Sequence, residues 1–211
     1  LGKSDTKSDN FDVLLFVRRD IATFQIPPFI KIIGPDSFSS SSLTEISIPS
    51  QIIEICESSF HNCEKLTKII IPHDSMMRKI GPSAFADSSI KSIFIPKHVT
   101  SISEYTFSLC YHLLTVEFAP DSELEVIKDC AFSDSALREI SIPSTVKEIR
   151  NNAFDICQNL SNVEIPFNSQ LQIIRSDAFF STSIESLYIP STVVNLEDGW
   201  CTFTPELYEV T

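Results

Sequence analysis

A chain of 211 residues with 43% hydrophobic content and 16 Phe holds too much apolar material to stay unfolded, and 4 Gly against 12 Pro mean that its turns are built on proline. A formal charge of -12 excludes the Lys- and Arg-rich footprint of a nucleic-acid binder. That charge is uneven: residues 1–100 carry 11 acidic and 11 basic side chains, residues 101–211 carry 17 and 5. Acidity of this kind solubilises an elongated surface, or forms a patch for a cationic partner or Ca²⁺. No stretch approaches the ~20 apolar residues of a membrane span, so no direct membrane insertion is expected of this segment.

Residues 1–20 stand outside any repeat and read as a tail and cap. Lys3–Asn10 is polar and expected to fray, while Phe11–Phe16 supplies apolar residues to cover the open end of a stack. Asp12–Ile21 contains Arg18 and Arg19 and is too short and too charged for a signal peptide. From Ile21 onward repetition takes over. The last apolar residue before each turn (Ile26, Ile48, Ile71, Ile95, Phe118, Ile142, Ile165, Ile189) recurs from Ile48 at alternating steps of 23 and 24. The mid-unit aromatics Phe38, Phe60, Phe85, Phe107, Phe132, Phe154 and Phe179 recur at alternating steps of 22 and 25, so both marks give a double repeat of 47.

Ser144–Pro166 is the clearest copy of the unit. Val163-x-Ile165 has the period-two alternation of a strand, closed by Pro166, which cannot donate to a ladder. Val146 and Ile149 mark a second, short extended segment, and Ala153-Phe154 lies in an expected 3₁₀ or single helical turn. Units of this length cannot bury an apolar side alone and must stack at about 4.8 Å. The expectation is a predominantly β solenoid of about eight units of 22–25 residues over 21–199. At 200–211 the pattern decays into a partial repeat or cap, with Trp200 and Cys201 where Ala153 and Phe154 stood 47 residues earlier. Starting at Leu1 and stopping partway through a repeat, the chain reads as a piece of a longer protein, and its last strand edge leaves end-to-end self-association open.

The chemistry-bearing residues follow the repeat. Phe60, Phe107 and Phe154 are followed three residues later by Cys63, Cys110 and Cys157; Phe85, Phe132 and Phe179 by Ser88, Ser135 and Thr182. His61 and His112 stand beside Cys63 and Cys110, but equivalent positions two units apart lie roughly 10 Å from each other, too far to share a zinc ion. The same spacing excludes disulfides among those three thiols, leaving open only Cys130 with Cys110 or Cys157. Small buried thiols filling the turn is the better reading. No nucleophile elbow, phosphate loop, dinucleotide fingerprint or metalloprotease motif occurs, so neither enzymatic activity nor a cofactor or metal is expected. Asn159-Leu160-Ser161 matches a glycosylation acceptor at a strand start, where chance explains it.

The pattern L-x-x-V-x-I-P-x-x-V-x-x-I-x-x-x-A-F-x-x-C, recurring over about Ile21 to Val210, resembles the BspA-like leucine-rich repeats of surface proteins from mucosal bacteria and parasitic protists. It departs from the conventional leucine-rich motif in placing Pro after the strand and Cys beyond the Phe. The resemblance implies a leucine-rich repeat solenoid on the cell surface or secreted, acting as a protein-binding module in adhesion to host or matrix proteins. The alternative is a cytoplasmic protein-interaction scaffold, which free cysteines in number favour through the reducing compartment they imply.

A partner would meet the side chains that the repeat leaves free. The column before the last apolar strand residue reads Gln25, Ser47, Ile70, Phe94, Glu117, Ser141, Glu164, Tyr188; two residues earlier it reads Thr23, Glu45, Lys68, Ser92, Thr115, Glu139, Asn162, Ser186. Nothing in the repeat requires Ile70 or Phe94 to be apolar. The candidate contact set is Lys68, Ile70, Lys91, Phe94, Glu117, Glu139, Glu164 and Tyr188. Cross-strand stacking between neighbours explains the apolar pair equally well.

Overall fold

Seven phenylalanines set the architecture. Phe38, Phe60, Phe85, Phe107, Phe132, Phe154 and Phe179 are fully buried and form one continuous stack, with ring centroids 4.9–5.6 Å apart and planes within 13° of parallel. That spacing lies close to the ~4.8 Å between neighbouring strands, so ring stacking and backbone pairing share one repeat distance. Both ends of the stack are closed edge-on, by Phe24 at 5.4 Å from Phe38 and by Trp200 at 6.2 Å from Phe179. The computed structural model describes residues 1–4 and 11–210; of the segment expected to fray, residues 5–10 lie outside the described residues.

Two rows of parallel strands flank the stack. The first is a continuous nine-stranded sheet of two-residue strands: Val13–Leu14, Ile32–Ile33, Glu54–Ile55, Lys79–Ile80, Ser101–Ile102, Val126–Ile127, Glu148–Ile149, Ile173–Ile174 and Asn195–Leu196. The second row holds the strands that end in Pro. Here the ladder is interrupted and falls into pairs: Glu45–Ser47 with Lys68–Ile70, Ser92–Ile95 with Thr115–Phe118, Glu139–Ser141 with Asn162–Glu164, and Ser186–Leu187 with Glu209–Val210. The sequence points to this second row as the sheet, whereas the unbroken hydrogen-bonded sheet is the short segment that reads as a connection. Strands one 23-residue step apart pair, and those a 24-residue step apart do not. The post-proline loops explain the break: Pro72 to Ile80 and Pro166 to Ile174 are each two residues longer than Pro49 to Ile55 and Pro143 to Ile149, and they leave where the ladder stops.

The third side is formed by the Phe turns. No helix occurs among the described residues. Each turn instead holds residues two before and two after the Phe in the left-handed region, such as Asp36 and Ser40 or Asn152 and Ile156, with φ of 52–59° across fifteen non-glycine residues. Bonds within the turn (Ser39 N to Asp36 O, 3.1 Å; Ser41 N to Phe38 O, 3.0 Å) alternate with bonds to the next unit (Asp36 N to Glu57 O, 3.1 Å; Phe38 N to Ser59 O, 2.8 Å; Ser40 N to His61 O, 2.8 Å). A helix would point all these groups along its own axis. With a neighbour stacked alongside, every second N–H finds a better acceptor there, and the left-handed residues turn those N–H groups toward it.

The same geometry explains the alternation of Cys with Ser or Thr. Cys63, Cys110 and Cys157 donate to the carbonyls of Phe38, Phe85 and Phe132 in the preceding unit at 3.1, 3.1 and 3.0 Å. Their sulfurs also lie 3.6, 3.7 and 3.3 Å from the hydroxyls of Ser41, Ser88 and Ser135. At the start of the stack Arg19 donates Nη1 to Ser37 O at 3.1 Å and Nη2 to Asp36 O at 2.9 Å, its guanidinium lying over the Phe16 ring.

The stack makes a direct stability prediction. Phe132→Ala should cost about 3–5 kcal/mol in urea unfolding, whereas Phe167→Ala, at a side chain that is 91% exposed, should change stability by less than about 0.5 kcal/mol. Equal effects would remove the Phe stack from its stabilising role.

Candidate functional site

Along the Pro-ended strands one side chain faces inward and its neighbours face out. Ile46, Ile69, Ile93, Val116, Ile140, Val163 and Leu187 are buried, and the residues on either side present a polar surface with few apolar exceptions. Lys68 and Ile70 lie on one strand and one face, opposite Glu45 and Ser47. Ile70 is 43% exposed. Phe94 stands opposite Glu117 but is half-buried, with the His73 ring edge-on at 4.4 Å. Lys91 is exposed just before that strand.

Further along, Glu139 pairs opposite Asn162, and Ser141 opposite Glu164, whose Oε2 accepts from the Ser141 hydroxyl at 2.6 Å. Glu117, Glu139 and Glu164 line one groove of about 470 Å³ at the break between Thr115–Phe118 and Glu139–Ser141. A second groove, of about 590 Å³, lies between Thr23–Ile26 and the strand pair bearing Lys68 and Ile70. The third, of about 790 Å³, holds Tyr188, half-buried against Phe167 at 5.1 Å. Lys68 and Ile70 thus line one groove, Glu117, Glu139 and Glu164 another, and Tyr188 and again Glu164 a third, while Lys91 and Phe94 line none of these three.

Two residues of this face are missing from the sequence reading. His73 and Phe167 follow Pro72 and Pro166 at the same place two double repeats apart, and each packs an aromatic ring (Phe94, Tyr188) at a ladder break. The signal was their shared register, in loops that a strand-based register leaves out.

Electrostatics separate the sides of the solenoid. Beside the continuous sheet, carboxylates are paired between units: Lys79 with Glu54 at 2.7 Å, Lys147 with Glu125 at 2.6 Å, and Arg175 with both Glu148 and Glu197 at 2.8 and 2.7 Å. Glu117, Glu139 and Glu164 enter no ion pair among the described residues. On the Phe-turn side, burial and the neighbouring Asp134 and Asp177 hold the Asp155 carboxyl above its usual range, against hydrogen bonds from Asn152 and Ser133.

The thiols are poor nucleophiles. Burial pushes Cys110 up to about 11 and Cys157 to about 12; burial and the Glu54 carboxylate push Cys56 to about 11. Burial also raises Cys63, Cys130 and Cys201. All six cysteines are free, and protonated thiols neither attack nor ligate readily. Among the described residues no group of three or more His, Cys, Asp or Glu is placed to hold a metal ion, and no helix is long and apolar enough to cross a membrane.

A parallel-strand coil of 22–25 residues per turn, wound on an interior ladder of one aromatic type, defines a leucine-rich repeat solenoid. The family model described as BspA type leucine-rich repeat region matches residues 14–118 and 78–203, with 6 copies, and the chain belongs to this family. Among solved structures it is similar to a leucine-rich repeat protein from Bacteroides ovatus, at 30% identity and a TM-score of 0.63, covering 83% of this chain and 53% of that one. The chain thus spans about half the length of that relative. A leucine-rich cell surface protein from Faecalibacterium prausnitzii (23% identity, TM-score 0.53, covering 95% of this chain and 69% of that one) shares the fold. So does the pneumococcal vaccine antigen PcpA (18% identity, TM-score 0.52, covering 94% and 74%). No curated protein matches the chain. Repeat modules of this family are typically protein-binding and non-catalytic scaffolds.

Two measurements test the site chemistry. In iodoacetamide labelling at pH 8, Cys63, Cys110 and Cys157 should stay unmodified in the folded chain and react once urea unfolds it; modification of any of the three before unfolding would contradict their place in the stack. Asp155 carries a sign. A carboxyl raised in the folded state stabilises fully below its unfolded value near ~3.9, and that contribution is lost as pH rises through the folded value. Asp155→Asn should therefore raise the melting temperature at pH 7 and leave it unchanged at pH 3. An equal shift at both would mean that shape, not charge, is responsible.

Proposed function

We propose that the chain is a protein-binding repeat module of a surface-displayed adhesin, contacting host or matrix proteins through its Pro-ended strand face, with no catalytic role. The observation that carries the reading is Ile70, a large apolar side chain 43% exposed at a register place where the repeat demands nothing apolar, on one strand face with exposed Lys68, with exposed Lys91 in the next unit beside Thr67. Phe94, Tyr188 and the grooves beside Glu117, Glu139 and Glu164 extend the contact surface along the solenoid. Surface display is supported by similarity to proteins described as a cell surface protein and a vaccine antigen. An intracellular scaffold using the same face is the second reading, favoured by six free cysteines, since oxidising compartments select against unpaired thiols.

Ile70 separates from Phe94 as a test position because it contributes little to packing. Lys68→Ser with Ile70→Ser should weaken retention on immobilised extracellular matrix at least tenfold, with the melting temperature moved by less than about 2 °C. Undiminished retention by the double variant would remove this face from the binding role. Labelling of intact cells with a membrane-impermeant reagent should mark the protein; an unlabelled protein that is abundant in lysate would select the scaffold.

A further inference from the structure

The left-handed positions of the Phe turns are mostly filled by Asp, Asn and Ser, whose short polar side chains tolerate that region. Leu109, Ile156 and Phe203 break the rule at one place in successive double repeats, where the first repeat has Asn62. Tyr105 breaks it at the other left-handed place of the Leu109 turn. A bulky side chain here, and a β-branched one above all, is disfavoured by its own backbone. Burial compensates little: Ile156 is half-buried, Leu109 is 37%, Tyr105 50% and Phe203 73% exposed, Phe203 touching only the Phe180 ring at 5.3 Å among aromatic neighbours, and the nearby Tyr111 is 59% exposed.

Charge is disfavoured along the same edge. Asp134, Asp155 and Asp177 enter no ion pair among the described residues, and Asp134 and Asp177 both oppose the charge on Asp155. A cleft of about 190 Å³ opens among Tyr111, Asp134, Ile156, Gln158 and Asn159. Local strain, exposed apolar area and unneutralised charge thus meet on an edge whose side chains the Phe stack does not need.

We propose that this edge is a second docking site, distinct from the strand face, for an extended basic segment of a partner protein, with an arginine seated in the cleft between Tyr111 and Ile156. Charge complementarity selects a cationic occupant. Arginine fits better than lysine, because its planar head stacks on a tyrosine ring while forking onto a carboxylate such as Asp134, and its stem covers apolar surface such as Ile156. Periodicity narrows the segment further. Leu109, Ile156 and Phe203 recur every second unit, roughly 10 Å at ~4.8 Å per strand. A polyproline II segment returns to the same face every three residues, about 9.3 Å at 3.1 Å each.

The probe is a fluorescent peptide of four Pro-Pro-Arg repeats, read by anisotropy in about 0.15 M salt so that unspecific attraction is screened. The chain should bind it, and a Pro-Pro-Gln counterpart should bind at least tenfold more weakly. Leu109→Asn with Ile156→Asn should weaken binding at least fivefold while melting at or above the wild-type temperature, because Asn suits the left-handed region. Tyr111→Ser, at an exposed and unstrained position, should weaken binding by a similar factor. Glu117→Gln with Glu139→Gln and Glu164→Gln, on the strand face, should bind as wild type. No binding by the wild type, full binding by the Leu109/Ile156 variant, or an equal loss in the strand-face variant would each overturn the proposal. So would self-association of the chain that the same edge variants abolish without any peptide binding.

Discussion

The structure depends on a single match of lengths. Phenylalanine rings in an offset stack sit about as far apart as hydrogen-bonded parallel strands, so one repeat distance serves the core and the backbone at once. The seven rings keep their planes within 13° of parallel because each is fixed by a turn whose Phe N–H bonds to the next turn at close to 2.8 Å. Neither interaction needs the other to adjust. A side chain of different thickness would separate units that the ladder draws together, which is why the position admits so little variation within the chain.

From that match follows the treatment of the turns. A short stretch around an inward Phe would ordinarily coil into a helical turn, but here half its N–H groups have acceptors in the neighbouring unit. The backbone takes the left-handed region at two places per turn to reach them, with almost no glycine to ease it. The cost, of order 1 kcal/mol or more per residue, is distributed over residues that mostly tolerate it. Cysteine and serine complete the same accounting: thiols donate to Phe carbonyls of the preceding unit, and burial then leaves those thiols chemically quiet.

The double repeat gives the solenoid unlike sides. Longer post-proline loops in alternate units interrupt one row of strands and leave the other continuous, and two of the interruptions open into grooves. Charge follows the same division. Carboxylates beside the continuous sheet are paired with Lys or Arg one unit away, whereas Glu117, Glu139 and Glu164 at the grooves and Asp134, Asp155 and Asp177 at the Phe turns enter no ion pair among the described residues. Surface pairs of that kind add at most ~1 kcal/mol each; their main consequence is to confine the net negative field to the remaining surfaces.

The fold was legible because it is written many times. Phe at steps of 22 and 25, and apolar strand ends at 23 and 24, fix the inward side chains before any contact is known, and the family resemblance rests on the same positions. Sequence by itself determined the solenoid, its double period, its core and the two outward columns, one holding Ile70, Glu117 and Glu164 and the other Lys68 and Glu139. It could not determine which strand row is unbroken, because ladder pairing depends on how loops of unequal length stack between units. Nor could it show His73 against Phe94, Phe167 against Tyr188, or Leu109 and Ile156 in the left-handed region. Those facts belong to residues brought together from neighbouring units and to backbone angles set by bonds between units. Only the assembled stack decides them.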